Sequence, residues 1–377
     1  MLIVSRSSSL HRGAGGMERV QDHLATSLVA AGFDVALLTT PWPRSAARSG
    51  PYAATWSVPN ARSGKYSLRW WAGTLREGPW WAWGPDVAVG EGDGAALLAF
   101  ARGRRCPLVV HAHGTLLGEL TSSLRTPTPR ELLKVPLHLL RIPSRVAGIR
   151  RADEVWAVGS SVARELARWP YWVSAGRVRE IPNGIETGVF RFEAGLREQE
   201  RVRLGIDLGV SVGLFAGRLH RQKGADLALR ALAYGRGHER RLLVAGDGPD
   251  RSKLERMASQ PGMRGRVTFL GRLAPVDLNA AMCAADVLLF PTRRTEGLPL
   301  IALEAAAVGL PLIASKYARV PADVGGLVVE VTPTARDVSD AWASMEPGSR
   351  GEGVLGARYT AKAASNAYVE ALARLIR

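Results

Sequence analysis

Val212-Gly213-Leu214-Phe215-Ala216-Gly217-Arg218-Leu219-His220-Arg221-Gln222-Lys223-Gly224 begins as an apolar run, ends that run on a glycine and continues as a cationic loop. It opens directly onto Ala225–Tyr234, where apolar residues recur at helical spacing. A short, continuously apolar strand followed by a helix is the repeating unit of a parallel sheet covered on both faces. In such sheets, side chains in the loop after a strand stand at the edge where ligands bind, so Arg218 and Lys223 are read as ligand-facing cations.

The same alternation extends in both directions. Upstream, strand-like runs fall at Leu2–Val4, Asp34–Thr39, Asp86–Gly90, Pro107–His113 and Glu154–Gly159. Downstream they fall at Arg241–Gly246, Val267–Gly271, Asp286–Pro291, Pro311–Ser315 and Gly326–Glu330. Helical spacing occupies Glu18–Ala31, Pro249–Ala258 and Leu300–Val308. Two series in 377 residues predict an α/β protein of two Rossmann-like domains. The turn at Asn183-Gly184 and the polar run Arg197–Arg203 put the join near residue 185, with residues 1–185 in one domain and 186–356 in the other. Tyr359–Ile376 reads as a final amphipathic helix, within a closing segment at 357–377. With 46% hydrophobic and 22% charged residues the composition is that of an ordinary globular chain. No apolar run approaches the ~20 residues of a membrane span, and the start lacks the pattern of a signal peptide, so the expectation is a cytoplasmic protein. Cys106 and Cys283 are expected to be small core residues rather than a disulfide. The net charge of +16 is concentrated toward the N-terminal half, where 23 Lys and Arg face 13 Asp and Glu up to Asn183. Anionic small molecules or an anionic membrane surface are compatible with that balance, as is a simply solvated surface. No nucleic-acid-binding module is visible.

Several clusters carry candidate chemistry. Gly13-Ala14-Gly15-Gly16-Met17-Glu18-Arg19 follows the first strand and opens a helix; Gly15 and Gly16 would let backbone approach an anion, or would simply make the turn. His111-Ala112-His113-Gly114 ends a strand with both histidines on one face, and His113 is the better placed for hydrogen bonding at the sheet edge. No third ligand is apparent beside them, so no metal is expected. Arg218 as a fork and Lys223 as a point charge suit a diphosphate. Gly246-Asp247-Gly248-Pro249 again ends a strand with glycines that permit close backbone approach. Glu296 and Glu304 stand eight residues apart; on a helix beginning near Glu296 they would share a face and accept hydrogen bonds from polyols. Glu296 as a mere helix cap is the plainer alternative.

Taken in order, Ile181-Pro182-Asn183-Gly184, the Gly217–Gly224 loop, Gly246-Asp247-Gly248-Pro249, Ala285-Asp286-Val287 with Phe290-Pro291, and Glu296 with Glu304 resemble the retaining GT-B glycosyltransferases of family 4, glycosyl transferases group 1. The resemblance implies two parallel sheets facing across a cleft, and transfer of a hexose from a nucleotide-diphosphate sugar to a glycan, lipid-linked glycan or small-molecule acceptor without metal or other cofactor. It implies that Arg218 and Lys223 hold the diphosphate, Glu304 the ribose, and Glu296 with Gly297 and Leu298 the donor sugar. His113 would lie near the reacting centre, Gly15 and Gly16 near phosphate and acceptor, and the final helix would cross back to the first domain. Where the family usually shows a Gly-Gly-x-x-Glu turn, this chain reads Lys316-Tyr317-Ala318-Arg319-Val320. A related epimerase or phosphorylase, or a non-catalytic nucleotide-sugar-binding subunit, are the competing readings. Arg125–Arg151 mixes cations with Leu, Ile and Val and could rest on anionic lipid, in polysaccharide biosynthesis at the inner membrane face, or pack on the first sheet. The Trp-rich segment between Trp42 and Trp83 is expected to be loops with short helices that shape the acceptor site.

Overall fold

A computed structural model describes residues 1–8, 11, 15–42, 50–65, 67–127, 132–133, 135–207, 209–234 and 239–376, with the side chains of 93–95 excluded. The chain divides into two compact units: Met1–Leu120 with Leu133–Gly184 and Ala361–Arg377, and Thr121–Leu132 with Ile185–Thr360.

The first unit is built on a parallel sheet. Its strands are β1 (Leu2–Val4), β2 (Ala36–Thr39), β3 (Ala54–Ser57), β4 (Ala88–Glu91), β5 (Leu108–Ala112), β6 (Glu154–Ala157) and β7 (Val178–Glu180). Among the described residues they run in the order β3-β2-β1-β4-β5-β6-β7. The strands β1, β2, β4 and β5 are completely buried and mainly apolar, with Thr39, Glu91 and His111 as their polar members. The helix Gly16–Ala30 and the C-terminal helix Ala361–Ile376 belong to this unit. Ala364, Tyr368, Ala371 and Leu372 join Ile3, Leu24, Leu28 and Trp156 in one core cluster.

The second unit repeats the plan with β8 (Ser211–Ala216), β9 (Arg240–Ala245), β10 (Val267–Gly271), β11 (Val287–Phe290), β12 (Leu312–Ser315) and β13 (Val328–Val331). These are again parallel, in the order β10-β9-β8-β11-β12-β13. Counted within each unit, both sheets follow the doubly wound order 3-2-1-4-5-6, to which the first adds a seventh strand at its edge, with the turning point between first and fourth strands.

Three sequence readings need correcting here. The polar run Arg197–Arg203 is no linker: it lies in the helix Ala194–Arg203, whose inner face is cationic. Arg197 and Arg201 reach the buried Asp286 carboxylate at 2.6 and 3.0 Å, and Asp286 also accepts from the Val212 N–H. A helix whose buried anchor is an ion pair shows no apolar stripe, which is why its pattern reads as a loop. The Trp-rich segment contains an edge strand, β3, besides the short helices Leu68–Thr74 and Pro79–Ala82. Trp70, Trp80 and Trp81 are core residues, although 43–49 and 66 lie outside the described residues. Of the two cysteines, Cys283 is buried and Cys106 half-buried, and both are free thiols.

Candidate active site

In the second unit, β8 and β11 flank the turning point, and the loops after them hold most of the sequence-derived residues. The β8 loop closes with a single 3₁₀ turn, Arg221–Lys223, and then Gly224 at φ 84°. A Cβ at Gly224 would stand 2.2 Å from the Pro291 carbonyl, so only glycine lets this loop lie against the one after β11. Two further contacts join the loops. The Arg293 N–H donates to the Gln222 carbonyl at 2.7 Å, and the Arg293 guanidinium forks onto Asp226 at 2.7 and 2.8 Å.

Lys223 is thereby aimed at Glu296: Nζ lies 2.8 Å from Oε1. Thr292 Oγ1 donates to the same oxygen at 3.0 Å, and the Glu296 N–H donates to the Tyr317 carbonyl at 3.0 Å. Burial pushes the Glu296 carboxyl up, but Lys223, Arg294 and the Thr292 hydroxyl more than offset this and hold it below the ordinary range. Arg218 is exposed in the same loop and makes no side-chain hydrogen bond or ion pair among the described residues. The sequence reading gave Lys223 and Glu296 separate tasks; the structure brings them together as a pair.

Glu304 is buried within the helix Leu300–Val308, at 1% exposure. Glu296 is not on that helix, so the shared-face argument fails. Pro299 is the N-cap, and the residue before a proline is disfavoured from helical backbone, which stops the helix from reaching back through Leu298. Gly297 and Leu298 are buried between Glu296 and the helix start. Gly246, at φ 135°, brings its backbone against another chain segment: a Cβ there would lie 1.9 Å from the Gly217 carbonyl. The Lys316–Val320 loop that replaces the glycine turn contributes the Tyr317 carbonyl to Glu296. Ser122 and Arg125, which the sequence reading left out of the site, also belong to this unit. The Thr295 N–H donates to Ser122 Oγ at 2.9 Å, and the Arg125 guanidinium lies 3.9 Å over the Tyr317 ring.

In the first unit the turning point lies between β1 and β4. Gly15 caps the helix that begins at Gly16, while Gly13 and Ala14 lie outside the described residues. Glu18 closes this helix start, accepting from the Gly15 N–H at 2.8 Å and from Ser7 Oγ at 2.5 Å. His113 follows β5 and is 16% exposed; its Nε2 lies 2.6 Å from Glu91 Oε2. Glu91 ends β4, pairs in register with His111 of β5, and is fully buried. His111 Nδ1 lies 3.2 Å from Glu91 Oε1, and His111 Nε2 lies 3.1 Å from the Tyr368 hydroxyl. Burial raises the Glu91 carboxyl, but the two imidazoles outweigh it and bring it to about 2. Burial, followed by neighbouring His111, lowers the pKa of His113.

Sequence spacing concealed Glu91, the acidic group that the paired histidines lacked, because it comes from another strand 20 residues earlier. Among the described residues, Glu91, His111 and His113 form the set whose donor atoms could reach one metal ion, all within 4.8 Å. Two ligand atoms on a tetrahedral zinc stand about 3.3 Å apart, given bonds of ~2.0 Å. The 2.6 Å between Glu91 and His113 is a hydrogen bond instead.

Comparison with known proteins bears on the family and the fold. The model for Glycosyltransferase Family 4 matches residues 14–189, and that for Glycosyl transferases group 1 matches residues 197–332. A D-inositol 3-phosphate glycosyltransferase of Acidothermus cellulolyticus is 32% identical over 66% of this chain and 62% of its own length. Its counterpart in Nocardia farcinica is 33% identical over 48% of this chain and 40% of its own length. The chain thus spans less than two thirds of these curated relatives. Among solved structures, sucrose-phosphate synthase from Thermosynechococcus elongatus aligns with a TM-score of 0.77 at 19% identity, covering 99% of this chain and 98% of its own. HepE of Anabaena, in complex with UDP-glucose, aligns with a TM-score of 0.76 at 19% identity and 99% coverage of both chains. Two doubly wound parallel sheets, two family models covering successive stretches of the sequence, and likeness to these structures along nearly its full length lead to one conclusion: the chain belongs to the GT-B glycosyltransferases of the family 4, group 1 type.

Proposed function

We propose that the protein is a retaining glycosyltransferase that moves a hexose from a nucleotide-diphosphate sugar to an acceptor hydroxyl without a metal ion. The observation that carries this reading is the Lys223–Glu296 pair beside exposed Arg218, at the turning point of the second sheet. A nucleoside diphosphate leaves with growing negative charge, and pre-placed cations stabilise that charge most in the transition state. Arg218 and Lys223 take this task. Glu296, held ionised, can only accept hydrogen bonds and so suits sugar hydroxyls, with the backbone of Gly297 and Leu298 beside it. Glu304 is assigned to the ribose and His113 to the neighbourhood of the reacting centre. Gly15 and Gly16 open the first unit's loop toward phosphate and acceptor. The sequence contains no Asp-x-Asp, the usual metal-holding signature of the other major transferase architecture, which supports neutralisation by side-chain cations.

The test is a thermal-shift screen of nucleotide sugars, UDP-glucose included, followed by transfer assays to glycan, lipid-linked and inositol phosphate acceptors. A bound donor should raise the melting temperature, and the product should keep the donor's anomeric configuration. Turnover that requires inorganic phosphate or a divalent ion would overturn the reading.

A peripheral membrane site goes with this proposal. On the helix Val135–Arg151, Leu137, Leu139 and Leu140 are exposed, the last at 78%, on a segment rich in arginine. Apolar residues exposed among cations suit an anionic lipid surface. Among the described residues no helix is long and apolar enough to cross a membrane.

A further inference from the structure

The buried group behind His113 fixes more than the position of its ring. The Glu91 carboxylate faces both imidazoles: His111 Nδ1 lies 3.2 Å from Oε1 and 3.1 Å from Oε2, and His113 Nε2 lies 2.6 Å from Oε2. An ionised carboxylate only accepts, so both nitrogens must carry protons. The Tyr368 hydroxyl is buried in the core and must place its own proton on an acceptor. Among the described residues His111 Nε2, 3.1 Å away, is that acceptor. His111 is therefore neutral with its proton on Nδ1, the less common form of a neutral imidazole. His113 is likewise held with its proton on Nε2, pointing inward. Its remaining ring nitrogen, Nδ1, makes no hydrogen bond among the described residues, and the side chain is 16% exposed.

Resting on the function proposed above, we infer that Tyr368, His111 and Glu91 are positioning residues that present His113 to the substrate as a hydrogen-bond acceptor through Nδ1. The order of donation is Tyr368 O–H to His111 Nε2, His111 Nδ1–H to Glu91, and His113 Nε2–H to Glu91. The outward nitrogen can then receive a hydroxyl proton from a sugar or acceptor, and cannot donate to a carbonyl or phosphate oxygen. One member of the chain, Tyr368, comes from the C-terminal helix, more than 250 residues away in sequence.

The Glu91→Leu variant removes the acceptor that holds both protons inward. His111 still accepts from Tyr368 through Nε2 and so keeps its proton on Nδ1. His113 loses the group that fixes its tautomer, and its proton can move to the outward Nδ1, turning that atom from acceptor to donor.

The test is a long-range proton–nitrogen correlation spectrum of the full chain labelled with ¹⁵N-histidine, in which seven histidines are assigned by single substitution. Expected are the Nδ1–H form for His111 and the Nε2–H form for His113 in the ligand-free protein near neutral pH, and a change of tautomer population at His113 alone in Glu91→Leu. Turnover of the nucleotide sugar that most raises the melting temperature should fall in that variant by ~10²-fold in kcat, with KM for the donor changed less than about threefold, since misdirected protons impair catalysis more than binding. The wild-type spectrum decides the matter even where the variant does not fold. His113 found as an imidazolium or with its proton on Nδ1 would overturn the inference, as would a Glu91→Leu spectrum that leaves His113 unchanged. Stoichiometric Zn²⁺ that strips the protons from both rings and shifts both signals would assign the cluster to a metal instead. The spectrum needs no turnover, so an inactive protein with these tautomers would refute the proposed function while upholding the proton assignment, and an active protein without them would do the reverse.

Discussion

Replacing Lys223 by alanine removes the cation 2.8 Å from a carboxylate that is only 10% exposed. At that separation the gross attraction is ~6 kcal/mol for an effective dielectric near 20, and most of it offsets the cost of taking both groups out of water. On the proposed mechanism, what remains for catalysis is what the leaving diphosphate draws from Lys223. We expect a loss of ~10² in kcat/KM, equivalent to ~2.7 kcal/mol of transition-state stabilisation. Glu296→Ala should cost about as much, for a linked reason: without its carboxylate, Lys223 loses the partner that aims it. Two independent contacts would multiply to ~10⁴ in the double variant. A single paired unit predicts a double variant only ~10²- to 10³-fold impaired, because the first substitution already disables both residues. The assay is initial-rate kinetics with the nucleotide sugar that most raises the melting temperature, alongside thermal melts that confirm folding. Single variants within threefold of wild type, or a double variant at the full product, would refute the reasoning.

Asp286→Asn should destabilise the second unit by ~3 kcal/mol, because it leaves the guanidinium groups of Arg197 and Arg201 without their buried counter-charge; chemical denaturation measures this directly. Acid should weaken the first unit as pH falls from about 4.5 toward about 2, since Glu91 is held down from the ordinary 4.5 to about 2 and its ionised form therefore stabilises the fold above that window. Glu91→Gln should flatten that part of the acid melting profile, and an unchanged slope would contradict the assigned charge. Leu139→Ser combined with Leu140→Ser should reduce sedimentation with anionic vesicles at least severalfold while leaving the melting temperature within a few degrees; both side chains are already exposed, so their loss costs the folded protein little. Equal sedimentation with neutral and anionic vesicles would exclude the proposed lipid surface.

The inner strands of both sheets were legible in the sequence because a strand buried on both faces is apolar along most of its length. β1 and β10 begin and end where their patterns do, and the helices Ala225–Tyr234 and Leu300–Val308 match residue for residue. The edge strands β3 and β7 were missed for the complementary reason. Ala54–Ser57 is half-buried along its length, and Val178–Glu180 is short and carries Arg179 and Glu180. In the candidate site, residue types after strands were readable, since the loops that face ligands follow the carboxyl ends of strands. Pairings were not. Lys223 with Glu296, Glu91 with His113 and Tyr368 with His111 join residues from different strands or helices, and no local spacing encodes them.

The C-terminal helix carries a consequence for how the chain is made. Ala364, Tyr368, Ala371 and Leu372 share a core with Ile3, Leu24 and Trp156, so the first unit lacks part of its core until residue 372 has left the ribosome. The second unit, drawn from residues before Ala361, has all of its strands available sooner. Translation therefore favours an inverted schedule in which the segment synthesised first matures last. Nascent chains arrested before Tyr368 should expose an apolar groove that chaperones can recognise.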